Sequence, residues 1–205
     1  MMTSALSSGQ REYTLDLPPG FIEIPLGELS SDVIERAATQ AATAFGLSQG
    51  DQHTRNLAFA LSSAVAGELA NDISYLAIGF FRSHDGARPI MVAITCLSRP
   101  SQHEEVQAAI SGLLEVHRDQ GQESVWPIQL SSGPAVAVVT EEFNELTIDG
   151  QQDAIPLIQR AVTAWTPDPD GTTLAVVSVS SNNWQDWDSV CELALDLFDT
   201  LEWAP

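Results

Sequence analysis

The amino-acid sequence predicts an α+β fold in which an antiparallel sheet is covered by helices. Most apolar runs are strand-like and follow one another through short turns, as antiparallel pairing allows. Four further segments carry apolar residues at helical spacing. Strands and helices do not alternate regularly along the chain, which argues against a doubly wound parallel fold.

The chain is expected to form a polar, mobile N-terminal tail at 1–16 and a single domain at 17–205. The first strand is predicted at 21–26, where polar and apolar residues alternate. Pro25 cannot donate a backbone hydrogen bond, so this strand should lie at a sheet edge or end there.

Four helices are predicted from apolar stripes and from their capping residues. The first is capped within 30–32 and stops at Gly46, since glycine readily adopts the left-handed conformation that ends a helix. The second is rich in alanine, which permits close packing. The other three helices are predicted at 52–70, 101–119 and 183–201, the last capped by Asn182 or Asn183.

The remaining strands are separated by residues that favour turns. Asp85-Gly86 marks a hairpin, and Asp168-Pro169-Asp170-Gly171 marks a tight reversal. A run rich in β-branched residues follows the second turn, which is typical of a strand. The strands are predicted at 75–81, 89–94, 124–130, 135–140, 154–166 and 172–180.

Charge and composition exclude several function classes. The 205 residues include 28 acidic and 8 basic side chains, giving a net charge of −20, and every basic residue is Arg. This excess of acid argues against nucleic acid and against anionic membrane surfaces, whereas a basic protein would be attracted. Without Lys there can be no side-chain Schiff base and no phosphate-binding loop of the Gly-Lys-Ser/Thr type.

The cysteines and the hydropathy pattern predict a cytoplasmic protein. Cys96 and Cys191 both lie in apolar surroundings, which favours buried free thiols over a disulfide. The first ten residues lack the basic start and apolar run of a signal peptide. No apolar stretch approaches the roughly 20 residues needed to span a bilayer.

Both ends of the domain resemble a known group of proteins. Residues 17–26 resemble the "LPxGWxxIPL" start of uncharacterised actinobacterial proteins, and 164–171, 174–180 and 187–203 resemble their ending, a hairpin followed by a helix. Those proteins are similar to the Mog1/PsbP-like family. The resemblance implies an α/β/α sandwich and, because members of that fold act mainly as binding or assembly factors, a non-enzymatic role.

The sequence offers no recognisable catalytic, metal or cofactor site, and no cofactor is expected. His103 and His117 are 14 residues apart on one predicted helix, or roughly 21 Å, too far to share a metal. His84 has no nucleophile placed with it. Asp168, Asp170 and Gly171 resemble the start of a calcium loop, but the strand that follows lacks the required Glu, so a turn is favoured.

The acidic residues that capping and turns do not explain concentrate between residues 141 and 153. They are predicted to lie in one loop region, either as a solvated loop or as a docking surface for an Arg-rich partner. Trp184, near the start of the last helix, is a second candidate for an interface because tryptophan is enriched at binding hot spots. The candidate interaction residues are Glu141, Glu142, Glu145, Asp149, Asp153 and Trp184.

Two functional hypotheses follow from these patterns. The favoured one is a non-enzymatic domain that binds a protein partner, with a homodimer as a further option because open sheets leave edges that dimers can cover. The alternative is a small-ligand-binding protein or an enzyme with a pocket between the sheet and the helices. That alternative requires clustered carboxylates or histidines in one cavity, for example His84 or His117 with an acid.

Overall fold

The fold was described from a computed structural model. The predicted helix at 52–70, half of the predicted tail and part of the acidic segment lie outside the described residues. The structure describes residues 2–3, 11–26, 30–47, 73–86, 88–122, 124–146 and 155–205.

Ten strands, three α-helices and a short 3-10 turn make up the described part of the chain. The strands are β1 (Met2–Thr3), β2 (Tyr13–Leu15), β3 (Phe21–Glu23), β4 (Tyr75–Arg82), β5 (Pro89–Pro100), β6 (Val125–Leu130), β7 (Gly133–Leu146), β8 (Ile155–Pro167), β9 (Thr173–Ser181) and β10 (Glu202–Trp203). The helices are α1 (Ser31–Phe45), α2 (Val106–Asp119) and α3 (Trp187–Asp199), and the 3-10 turn is Trp184–Asp186.

Seven of the strands form one sheet in the order β3-β4-β5-β9-β8-β7-β6, and every neighbouring pair is antiparallel. A small three-stranded sheet, β1-β2-β10, joins the two ends of the chain. The predicted class, α+β with an antiparallel sheet and covering helices, is therefore confirmed.

Helices cover both faces of the large sheet. On one face, α3 and the small sheet enclose the main core, in which Ile94, Val177 and Phe198 are fully or almost fully buried. On the opposite face α1 packs over β4, and α2 packs over β6 and β7. Since side chains alternate along a strand, Leu76 and Ile78 of β4 contact α1 while Ala77 between them belongs to the main core.

The capping residues of α1 act as the sequence predicts. The Ser30 side chain accepts a hydrogen bond from the backbone N–H of Val33, and Gly46 ends the helix with a φ of 67°. Alanines line the buried side of this helix, which allows the close approach to β4. By contrast, the Asn183 side chain caps no helix. Its amide donates to the Pro89 carbonyl and accepts from the Met91 N–H at the start of β5.

Two strands extend well past their predicted ends. β5 continues to Pro100 because β9 pairs with it over its whole second half, and α2 consequently begins only at Val106 instead of 101. β7 was predicted to stop at Thr140, and it continues to Leu146 opposite β8. The prediction of a loop at 141–146 is therefore wrong, because cross-strand pairing overrides the low strand propensity of glutamate there.

The buried side chain of Asp168 stabilises the β8–β9 turn through hydrogen bonds. Its buried carboxylate accepts hydrogen bonds from the backbone N–H of Gly171 at 2.6 Å, from the backbone N–H of Thr172 at 3.2 Å and from the Thr172 hydroxyl at 2.8 Å. Burial acts to raise the pKa of Asp168, but the hydrogen bonds from Thr172 and Gly171 outweigh it and the pKa is lowered. The predicted turn is confirmed.

Both cysteines in the described structure are free thiols, as predicted. Cys96 is buried in the main core, and burial raises its pKa to about 12. Cys191 is only half-buried, so the expectation of burial holds in full for Cys96 alone. Among the described helices, none combines the length and apolar character required to cross a membrane.

Candidate functional site

A two-stranded ribbon formed by β7 and β8 projects beyond the rest of the described sheet. β6 pairs with β7 only as far as Val138, followed by one hydrogen bond from the Val139 N–H to the Ser124 carbonyl. β9 pairs with β8 only as far as Arg160. Residues 140–146 and 155–159 therefore pair only with each other among the described residues, and these two segments are called the ribbon below.

Alternation along β7 divides the predicted acidic surface between two faces. Glu141 shares the face of Val139, which contacts the main core beneath α3. Glu142 points to the opposite face, the one that carries α1 and α2. Glu145 lies in the ribbon opposite Pro156, while Asp149 and Asp153 lie outside the described residues. Glu141 and Glu142 therefore cannot act together on one flat partner surface.

Glu141 is already engaged by an ion pair across the ribbon. The Arg160 Nε donates to the Glu141 carboxylate at 2.6 Å, and both side chains are more than a third exposed. Such a pair contributes little to stability in water, and its charges stay open to competition by a partner. Arg160 also lies close to the Cys191 thiol, whose pKa is raised by burial and by Asp188 and lowered by Arg160. The base of the ribbon thus adjoins the start of α3.

The ribbon also carries an exposed apolar pair that the sequence patterns did not single out. Phe143 is 78% exposed and lies directly opposite Ile158, which is 43% exposed. Both point to the same face as Glu141. The signal was present in the sequence as alternation of Glu141, Phe143 and Glu145, but it is visible only once β7 is known to continue that far.

Trp184, the other predicted interface residue, is 62% exposed at the 3-10 turn before α3. The turn is held by Arg88, whose guanidinium donates to both carboxylate oxygens of Asp186 at 2.8 and 3.2 Å. Trp187, one turn later, packs against the main core. An exposed indole is therefore presented on a turn anchored to the β4–β5 hairpin.

An open cleft of about 620 Å³ lies on the other side of the fold, between α1 and the end of β4. Its walls include two guanidinium groups, Arg36 and Arg82, and two phenyl rings, Phe80 and Phe81. The sequence patterns offered a pocket between the sheet and the helices as an alternative, but they identified none of the residues that line this cleft, because these come from elements far apart in the chain. The remaining residues on its walls are Asp32, Glu35, Thr39, Gln40, Thr43 and Ala44.

Among the described histidines, none of His84, His103 and His117 lines this cleft. His117 packs on the Trp165 ring at 5.2 Å, and partial burial lowers its pKa. His103 bonds through Nε2 to the Asp168 carbonyl at 3.0 Å, while Nδ1 lies 2.8 Å from the Ser101 hydroxyl. In the part of the chain that the structure describes, no group of three or more His, Cys, Asp or Glu side chains is arranged to hold a metal ion.

Comparison of the chain with family models, with curated proteins and with solved structures finds no match.

Proposed function

We propose that this protein is a non-enzymatic protein-binding or assembly-factor domain with a Mog1/PsbP-like α/β-sandwich fold, and that the ribbon is its docking surface. The exposure of Phe143 opposite Ile158 carries this proposal. A phenylalanine exposed over 78% of its surface gains free energy when a partner covers it, of the order of 1.5–3 kcal/mol on full burial. Aromatic side chains are enriched at protein interfaces for this reason.

The charge of the protein supports a basic partner. A net charge of −20 speeds the approach of a cationic protein and disfavours a second acidic copy. Glu141 lies on the same face as the apolar pair, two residues before Phe143, so an acidic side chain borders the exposed ring. This arrangement, an apolar centre with charged surroundings, is typical of protein interfaces.

The same proposal places the protein in the cytoplasm. The free thiols of Cys96 and Cys191 support this location, since a reducing compartment keeps thiols free. The α+β sheet covered by helices on both faces supports the Mog1/PsbP-like assignment, because that family has an antiparallel sheet between helical layers.

The test is affinity capture from the source organism, with the partner then purified and titrated against variants. Phe143→Ser together with Ile158→Ser should weaken binding at least about tenfold, because apolar burial is lost. The matched control is Val116→Ser, which changes a residue that is 50% exposed on α2. Equal affinity of the ribbon variant and the control would remove the ribbon from the proposal.

A second candidate function rests on the cleft beside α1. Its volume of about 620 Å³ lies within the usual range for small-ligand sites, and its walls combine aromatic and cationic side chains. Because the walls also carry the carboxylates of Asp32 and Glu35, this favours a carrier of a small molecule that has an apolar part and both positive and negative groups. Native mass spectrometry of the purified protein should then show a bound ligand that Thr43→Trp, which fills the cleft, displaces. An unliganded mass in every preparation would count against it.

A further inference from the structure

Three open strand edges of the large sheet are blocked by proline, each at a position whose nitrogen points outward. Just past the end of β3, the backbone N–H of Ile24 donates to the Leu76 carbonyl, so even-numbered residues here bond to β4. Pro25, two residues after the last residue of β3, therefore turns its nitrogen away from β4. The backbone N–H of Val139 donates to the Ser124 carbonyl, so the even-numbered residues on this side bond to β7. The odd-numbered residues of β6, which include Pro127, therefore point outward.

The free edge of β8 in the ribbon follows the same rule. The backbone N–H of Asp168 donates to the Thr173 carbonyl. The even-numbered residues of β8 therefore turn their backbone groups toward β9. Beyond the end of β9 the next outward residues are Ile158 and Pro156. Proline has no N–H to offer an additional strand, and natural proteins use it in this way to prevent unwanted pairing.

The β7 edge of the ribbon is different because it contains no proline. The bond from Val139 to Ser124 shows that odd-numbered residues of β7 face the β6 side. Beyond β6, the backbone N–H and C=O groups of Glu141, Phe143 and Glu145 therefore point outward, and no described strand pairs with them. Another edge without proline, Phe80–Arg82 at the end of β4, extends only three residues beyond its pairing with β3.

We propose that an extended, cationic segment of the protein partner adds as a strand to this β7 edge, beside residues 140–146. This inference rests on the proposed docking function of the ribbon and names the chemistry of its partner. Main-chain bonds to Glu141, Phe143 and Glu145 supply affinity, and alternate side chains of the segment supply specificity. Apolar residues of the segment pack on Phe143, and cationic ones lie beside the glutamates.

Charge selects against a second copy of the chain at the same edge. Two β7 edges paired with each other would bring Glu141 and Glu145 of one copy beside the same residues of the other, and like charges across a sheet are destabilising. The glutamates thus replace proline as protection against self-association. Unlike proline, they leave the backbone groups available to a partner of opposite charge.

The probe is a blocked synthetic peptide that contains Arg-Thr-Val-Thr-Arg, titrated into the full-length protein. Because side chains alternate along a strand, its two arginines and its valine fall on the one face that Glu141, Phe143 and Glu145 share. Amide exchange by NMR reads the main-chain bonds directly. The N–H groups of Glu141, Phe143 and Glu145 should become protected on binding, whereas that of Glu142, which already faces β8, should not change. A control peptide of equal charge, methylated at each backbone nitrogen, should leave the protection of all four unchanged.

A pair of variants separates main-chain pairing from side-chain charge. Glu141→Pro and Glu141→Ala both remove the carboxylate and its ion pair with Arg160, but only Glu141→Pro removes an outward N–H. The Glu141→Pro variant should bind the peptide at least about fivefold more weakly than the Glu141→Ala variant. Equal affinity of the two variants, or peptide binding without amide protection, would overturn strand addition in favour of charge attraction alone.

The same measurements keep this inference distinct from the proposed function. A captured partner that requires Phe143 and Ile158, yet binds the two Glu141 variants equally, would uphold the docking ribbon and refute strand addition. Protection of the outward amides in the protein alone, together with a dimeric mass by sedimentation, would replace the cationic partner with a second copy. Failure to protect any ribbon amide at saturating peptide would also refute the inference.

Discussion

Asp168→Ala should be among the most destabilising single substitutions in the described structure. The carboxylate is fully buried and accepts hydrogen bonds from two backbone N–H groups and one hydroxyl, those of Gly171 and Thr172. Removal leaves these donors without their acceptor inside a tight turn. Each hydrogen bond to a charged group contributes about 1.5–3 kcal/mol, and since contributions within one network do not add in full, we expect a total loss of about 3–5 kcal/mol.

Urea denaturation followed by tryptophan fluorescence measures this loss directly. Asp170→Ala is the matched control: it lies in the same turn, its side chain is 69% exposed, and it pairs with Arg11 at the surface. The unfolding free energy of Asp170→Ala should fall by less than about 1 kcal/mol, because exposed ion pairs contribute little. If Asp168→Ala and Asp170→Ala destabilise the protein equally, the assignment of the turn to the buried carboxylate is wrong.

The dependence on pH provides an independent test of the same carboxylate. The pKa of Asp168 is lower in the folded state than the value of about 3.9 expected when unfolded. Ionised Asp168 therefore contributes stability that is fully present above about pH 4 and is lost as the pH falls through the lower folded pKa. The difference in unfolding free energy between the protein and Asp168→Asn should shrink in that acid range. A difference that stays constant below pH 4 would contradict the reasoning.

Three further outcomes are expected. Gly171→Ala should destabilise the protein by about 2 kcal/mol or more in the same urea assay, because the residue has a φ of 83° and a Cβ would overlap the His103 carbonyl; an unchanged midpoint would refute this. Cys96 should resist thiol reagents at pH 8 until the protein unfolds, while half-buried Cys191 reacts first, as mass spectrometry of labelled peptides can show. Pro127→Thr restores an outward N–H on β6 and should raise the dimer fraction in sedimentation; an unaltered mass at all concentrations would argue against edge protection.

Local signals in the chain predicted much of the fold. Ser30 and Gly46 delimit α1, and the Asp168 turn reverses the chain between β8 and β9, because capping and turn formation depend on a few adjacent residues. Pro25 correctly indicated an edge strand, since proline has no backbone N–H to donate to a neighbouring strand in any tertiary context. These predictions needed no knowledge of what packs against each segment.

The candidate site could be predicted only in part. The segment starting at Glu141 was identified by its charge, yet it was assigned to a loop because glutamate is unfavourable in isolated strands. Pairing with β8 supplies what the local sequence lacks, and it divides Glu141 from Glu142. Phe143 and Ile158 can be identified as one apolar pair only when that register is known, because they are far apart in the chain and opposite each other in the ribbon.

The sequence by itself determined the α+β class, the acidic character, the free thiols and most turns, because composition and short-range preferences decide them. Only the tertiary structure decided the strand order, the length of β7, the position of the cleft and which backbone groups stay unpaired. These depend on contacts between residues distant in the chain. The outward positions of Pro25, Pro127 and Pro156 illustrate the difference: each proline is visible in the sequence, but its role at an edge depends on which neighbour the strand pairs with.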